Sequence, residues 1–288
     1  MDAGRMDLSE RIARRPRRGL FVLPSIFTAG NIALGFYAIT QSLQGTSTDY
    51  AYFDRAALAI AFALPFDALD GRIARMTNTE SDFGRELDSL ADVITFGVAP
   101  SILAYTWGFR LLPVLGNLHI LHRILDLGLL AAFLFLICGA CRLARFNVTV
   151  NPKPSNPGRP GRRYFVGMPI PAAAGVIASV VHCFEGSPID NKWIAVVWMG
   201  LLLFTGFLMV SRWRFWSGKE INLGDQHPAR LFVVLIVLGV LLGVFSNYLL
   251  ISMALAYMVS GMWARLMYAA QSRRARRLGM PLPNASQS

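Results

Sequence analysis

Residues 67–92 read DALDGRIARMTNTESDFGRELDSLAD. The stretch begins at the end of one apolar run and leads into another. Asp67 and Asp70 are three residues apart, and Asp88 and Asp92 four apart, so on helices each pair shares a face. An acidic side chain costs roughly 2.5–3.5 kcal/mol where a helix meets hydrocarbon. Four of them at the adjoining ends of two apolar segments therefore predict a neutralising partner, and the short polar link at 76–83 makes the two segments antiparallel neighbours.

The rest of the chain sets the class. Hydrophobic residues make up 54% of 288 and charged residues only 16%, and mean hydropathy is +0.45. Soluble domains carry about 25% charge, so the composition predicts an all-α, polytopic membrane bundle. Apolar runs place eight transmembrane helices at about 21–42, 56–75, 88–107, 126–146, 165–184, 192–210, 230–245 and 248–268, of which 230–245 is short for the length of about 20 residues that a bilayer requires. The last two are separated only by Ser246 and Asn247, which gives a six-helix core with a C-terminal hairpin. A basic segment at 1–19 precedes the membrane domain at 20–270, and a basic tail follows at 271–288. Arg14, Arg15, Arg17 and Arg18 precede an apolar run too long for a signal core and without a clear cleavage site, so the first span reads as uncleaved.

With both termini in the cytoplasm, all but Arg55, Arg110, Arg123 and Lys192 of the 28 Lys and Arg residues fall on the cytoplasmic side. This positive-inside asymmetry predicts a multi-pass membrane protein with the acidic cluster on the cytoplasmic face. The net charge of +11 then meets anionic membrane lipids, and no soluble domain presents it to nucleic acid. Cys138, Cys141 and Cys183 read as small packing residues in apolar helices. His119, His122, His182 and His227 lack the clustered acid or thiolate partners of a zinc site.

An all-oxygen donor set suits Mg²⁺ or Mn²⁺, with Ca²⁺ also compatible. Arg75 adds a fixed positive charge one turn past Gly71, and Gly71 and Gly84 allow a bulky group to approach the backbone. Acids, arginine and glycines together point to a metal-bridged phosphate ester, whereas acids alone would also serve a cation transporter. Transporter sites lie near the bilayer midplane between repeated halves. These acids lie at helix ends, and no repeat is visible.

The pattern D-x-x-D-G-x-x-A-R-x8-G-x-x-x-D-x-x-x-D, from Asp67 to Asp92, resembles the signature of the CDP-alcohol phosphatidyltransferase family at every position. The blocks LPSIFTAGNIALGF (23–36), SDFGRELDSLADVITFGVAPS (81–101), CRLARFN (141–147), YFVGMPIPAAAG (164–175) and VSRWRFWSGK (210–219) resemble its bacterial integral-membrane branch that uses serine. Met168 stands where a Leu is expected. The resemblance implies transfer of a phosphatidyl group from CDP-diacylglycerol to L-serine with release of CMP. It also implies a homodimer and two divalent cations, Mg or Mn. Asp67, Asp70 and Asp88 would hold one cation and Asp88 and Asp92 the other, with Asp92 as general base.

By the same resemblance Gly71, Arg75, Ser81 and Gly84 surround the CDP moiety, with Ser25, Thr28 and Asn31 as further candidates. Arg142, Arg145 and Asn147 close the fourth span on the same side and are candidates for serine, since Arg suits bidentate recognition of a carboxylate. Arg212, Arg214 and Lys219, after the sixth span, are further basic candidates. Glycerol 3-phosphate, inositol and inositol phosphate remain alternative acceptors.

Overall fold

A computed structural model describes residues 22–77, 82–114, 118–149, 164–216 and 228–278, with backbone alone at 22–25, 69–77, 228–247 and 276. Helices dominate. In chain order they are α1 (Val22–Gln44), α2 (Ala51–Thr77), α3 (Asp82–Arg110), α4 (Leu118–Val148), α5 (Ile170–Cys183), α6 (Lys192–Val210) and α7 (Pro228–Arg277). Helix α3 contains two π-helical stretches, Val93–Val98 and Thr106–Arg110. Among the described residues, α3, α4, α6 and Tyr248–Ala275 of α7 are long and apolar enough to cross a membrane. Helix α5 is apolar but shorter.

The first six expected helices are present, though several boundaries differ. Helix α3 starts at Asp82 rather than 88, and α4 at Leu118 rather than 126. The fifth begins five residues late. Tyr164–Val166 forms β1, antiparallel to β2 (Arg214–Trp216), with Phe165 opposite Phe215. Gly167, at φ 79°, and Pro169 turn the chain before α5 can start, because neither fits a helix interior. The fold is therefore helical with one small two-stranded sheet.

The expected C-terminal hairpin is not formed. Residues 228–277 make one continuous helix through Ser246 and Asn247. Ser and Asn cost only about 0.5–0.7 kcal/mol each in a helix, whereas Pro costs about 3, so a polar pair without Pro or Gly does not break one.

Between lipid-embedded helices the driving force is close packing, which small residues permit. Helix α1 lies along α2, α2 along α5, and α4 along α6. Ala56, Ala57, Ala59, Ala61 and Ala63 of α2 and Ala173 and Ala174 of α5 are buried. Gly35 brings α1 against the backbone of α3, where an added methyl would fall 2.5 Å from Thr95 Oγ1 and 2.9 Å from its Cα. At that contact the Thr95 hydroxyl donates to the Asn31 carbonyl at 3.0 Å. These contacts fix α1, α2 and α3 as one unit around the acidic residues.

Candidate active site

Asp67 on α2 and Asp88 and Asp92 on α3 each offer a carboxylate oxygen within 4.8 Å of the other two. Helix spacing explains the gathering. Asp88 and Asp92 lie one turn apart on α3, so both can face Asp67 at the end of α2. Asp67 and Asp92 interact directly through their side chains. All three are partly buried, so their mutual repulsion is screened less than at an open surface. The donor set fits a divalent cation: it is all oxygen, compact and lacks nitrogen or sulfur, the preference of Mg²⁺, Mn²⁺ or Ca²⁺.

Of the other acidic-motif residues, Asp70, Gly71 and Arg75 continue α2 as helix, and Asp70 shares the face of Asp67 by its spacing of three. Their side chains, like all of Ser81, lie outside the described residues. Gly84 is half-buried in the first turn of α3, one turn before Asp88. Directly after Asp92 the helix widens into its first π stretch, a feature that occurs often at functional sites.

Helix α1 supplies a second wall. Thr28 is buried, and Asn31 is wholly so. The Asn31 carbonyl is held by Thr95, one turn past Asp92, and neighbouring Gly30 packs on Phe66, next to Asp67. Both amide atoms of the Asn31 side chain are buried without a hydrogen-bond partner within the protein. A buried amide left unmatched costs about 1–3 kcal/mol, so a ligand that accepts from it and donates to it recovers that cost. Ser25 begins the same helix, and its side chain is outside the described set.

Helix α4 ends in the three residues expected to grip the acceptor, and they separate into different roles. Arg142 is 6% exposed and interacts electrostatically with Asp92 and Asp67. Its guanidinium packs over Phe146 and Phe165, 5.3 and 5.9 Å from the ring centres, while Nε has no hydrogen-bond partner within the protein. Arg145 instead donates to the carbonyls of Val210 (2.9 Å), Val166 (3.4 Å) and Ser211 (3.4 Å). It ties the end of α4 to the end of α6 and to β1. Asn147 donates to Ser89 Oγ at 2.9 Å, which fixes α4 beside Asp88. Arg214 packs over the Tyr164 ring, and Lys219 falls outside the described residues.

Two residues at this site had no signal in spacing or motif. Ser89 receives Asn147. Tyr257 on α7 interacts electrostatically with Arg142 and carries the C-terminal helix to the site. A tyrosine within an apolar helix reads as packing until its neighbours are known.

Comparison with known proteins agrees with this geometry. Residues 21–208 match the model of the CDP-alcohol phosphatidyltransferase family. The chain is 35% identical over 228 residues to a CDP-diacylglycerol–serine O-phosphatidyltransferase of Helicobacter pylori, covering 77% of this chain and 81% of that one. It is 36% identical over 193 residues to the Bacillus subtilis protein of that name, covering 67% and 89%. A Mycobacterium tuberculosis protein of the same name is 33% identical over 254 residues, covering 85% and 79%.

Proposed function

The chain belongs to the CDP-alcohol phosphatidyltransferase family, and on that premise we propose that it transfers the phosphatidyl group of CDP-diacylglycerol to the hydroxyl of L-serine, releasing CMP. The observation that carries this reading is the meeting of Asp67, Asp88 and Asp92 within 4.8 Å, in a chain whose relatives bear the name of that activity. Family resemblance supports a bacterial inner membrane, and the basic residues of the segments 72–85, 142–163 and 211–230, which adjoin the helix ends carrying the carboxylates, support a cytoplasmic-facing site. There a nucleotide-headed lipid and a water-soluble acceptor can meet. A homodimer is proposed from family resemblance.

Asp67, Asp70 and Asp88 would hold one divalent cation, Mg or Mn, and Asp88 and Asp92 a second. Such ions neutralise charge on a pyrophosphate and polarise its phosphoryl oxygens. The chain's own residues do the rest. Asp92 is the base that receives the serine hydroxyl proton, which requires about 2.6–3.2 Å between heavy atoms or one bridging water. The serine oxygen then forms a bond to the phosphorus bearing diacylglycerol. The bond from that phosphorus to the bridging oxygen breaks, and its electron pair leaves with CMP. No covalent enzyme intermediate is invoked, since Ser89 beside Asp88 donates to the Arg85 carbonyl and receives Asn147, with no base among the described residues to activate it.

Binding divides between two walls. Asn31, with its unmatched buried amide, and Thr28 would line the CDP side with Gly84, and family resemblance adds Gly71, Arg75 and Ser81. Arg142, on α4, interacts electrostatically with Asp92 and Asp67 and would orient the serine carboxylate. Holding the reactants in place supplies a large share of the acceleration in such reactions.

The test is CMP release by purified protein in detergent, given CDP-diacylglycerol, Mg²⁺ or Mn²⁺, and serine, glycerol 3-phosphate, inositol or inositol phosphate. Serine-dependent release that disappears with EDTA and returns with metal is the expected result. Release with a different acceptor overturns the choice of serine. No release with any acceptor overturns the enzymatic reading.

A further inference from the structure

The family match ends at residue 208, yet the architecture carries α7 back to the centre of the site. The link is the small sheet. Phe165 on β1 lies under the Arg142 guanidinium and pairs with Phe215 on β2. Phe215 is 1% exposed and stacks on Tyr257 of α7, with ring centres 5.8 Å apart and planes at 29°. Gly261, one turn on, lets the Phe215 ring lie flat on the helix, since a methyl there would fall 2.2 Å from that ring. Arg142, the sheet and Tyr257 therefore form one packed column beside Asp92.

The hydrogen-bonding state of this column is asymmetric. The Tyr257 hydroxyl donates to the Trp216 carbonyl at 3.0 Å, which fixes the direction of its proton and leaves its oxygen lone pairs as acceptors. Arg142 has a buried Nε without a partner within the protein and carries only donors. A donor-only group and a fixed acceptor in electrostatic reach of each other complement a carboxylate and an ammonium on one small molecule. A polyol phosphate offers the guanidinium an anion and gives the tyrosine oxygen no cation.

We propose that Tyr257 is a specificity-determining residue. Its hydroxyl oxygen accepts from the ammonium of an α-amino-acid acceptor whose carboxylate is held by Arg142, so α7 completes the acceptor side of the site from beyond the shared family domain. This rests on the serine reading above and adds the element that distinguishes the acceptor. The shared carboxylates serve the chemistry common to the family, and the selection of an amino acid falls to a helix outside the matched region.

The test compares two acceptors and one variant, all with full-length protein in detergent. Glycerate replaces the ammonium of serine with a hydroxyl, and the wild type is expected to use it about 10²-fold less efficiently, the scale of a lost hydrogen bond to a charged group. Tyr257→Phe keeps the ring stack. It is expected to raise the serine KM about 10-fold, leave the CDP-diacylglycerol KM within about twofold, and narrow the preference for serine over glycerate. A merely structural tyrosine would shift both KM values together or lower only the thermal midpoint. An unchanged serine KM in the variant, parallel rises in both KM values, or wild-type use of glycerate equal to serine overturns the proposal. Absence of serine-dependent CMP release by the wild type would instead overturn the function on which it rests.

Discussion

At the start of α2, Asp54 meets His182 Nδ1 of α5 at 2.5 Å, one acid to one imidazole. At the end of the same helix, Asp67 joins Asp88 and Asp92 within 4.8 Å. The first place is a joint. His182 is 5% exposed, and Gly186, at φ 75°, lets the α5–α6 turn close on the Tyr50 carbonyl and the Asp54 amide. Nearby, Trp198 donates to the Ala104 carbonyl at 3.0 Å and meets Trp107 edge-on. The second place gathers like charges, with Arg142 reaching in from α4, and includes the unmatched amide of Asn31. One helix thus satisfies its acid internally where the bundle must hold, and concentrates acid at the proposed cation site.

That contrast is breakable, and the largest effect is expected at the clustered end. Asp92→Asn keeps the shape of the side chain and removes its charge and basicity. CMP release should fall about 10³-fold, the scale of a lost general base, while CDP-diacylglycerol binding measured in detergent stays within a few fold. Intact turnover would remove Asp92 from the reaction and make the two ends of α2 alike.

Arg142→Ala comes next. Loss of a charge-assisted contact of about 1.5–3 kcal/mol should lower kcat/KM for serine about 10²-fold. Steady-state kinetics should show most of this in the serine KM and much less in the CDP-diacylglycerol KM. Equal changes for both substrates would mean that Arg142 supports the carboxylates without touching the acceptor.

The smallest effect on chemistry is expected at the joint. His182→Ala leaves Asp54 without its imidazole and should cost about 1–3 kcal/mol of stability, visible as a lower thermal midpoint in detergent. Turnover per folded molecule should be unchanged. A large loss of turnover at normal stability would show that the joint is coupled to the site along α2.

Much of the site was legible because helix periodicity is a local property. Spacings of three and four put Asp67 with Asp70 and Asp88 with Asp92 on shared faces, and a short link made their helices neighbours. The structure brings Asp67, Asp88 and Asp92 together as that geometry requires. Arg142, Arg145 and Asn147 show where local reasoning stops. All three close α4, but one faces the carboxylates, one grips the carbonyls of Val166, Val210 and Ser211, and one bonds Ser89. Their roles depend on what packs against each side of the helix end. The C-terminal hairpin failed for a related reason, since polarity at Ser246 and Asn247 marks a possible turn while only backbone geometry decides one.

Sequence by itself determined the helical membrane class, the antiparallel meeting of α2 and α3, and the oxygen-only chemistry of the acids, because apolar content, periodicity and residue type are set residue by residue. Tertiary structure alone decided that β1 and β2 pair, that α7 runs unbroken, and that Phe165, Phe215 and Tyr257 stack into a column beside Arg142. Those contacts join residues up to about fifty positions apart. Nothing in the local pattern of either partner records the other, so packing had to bring them together.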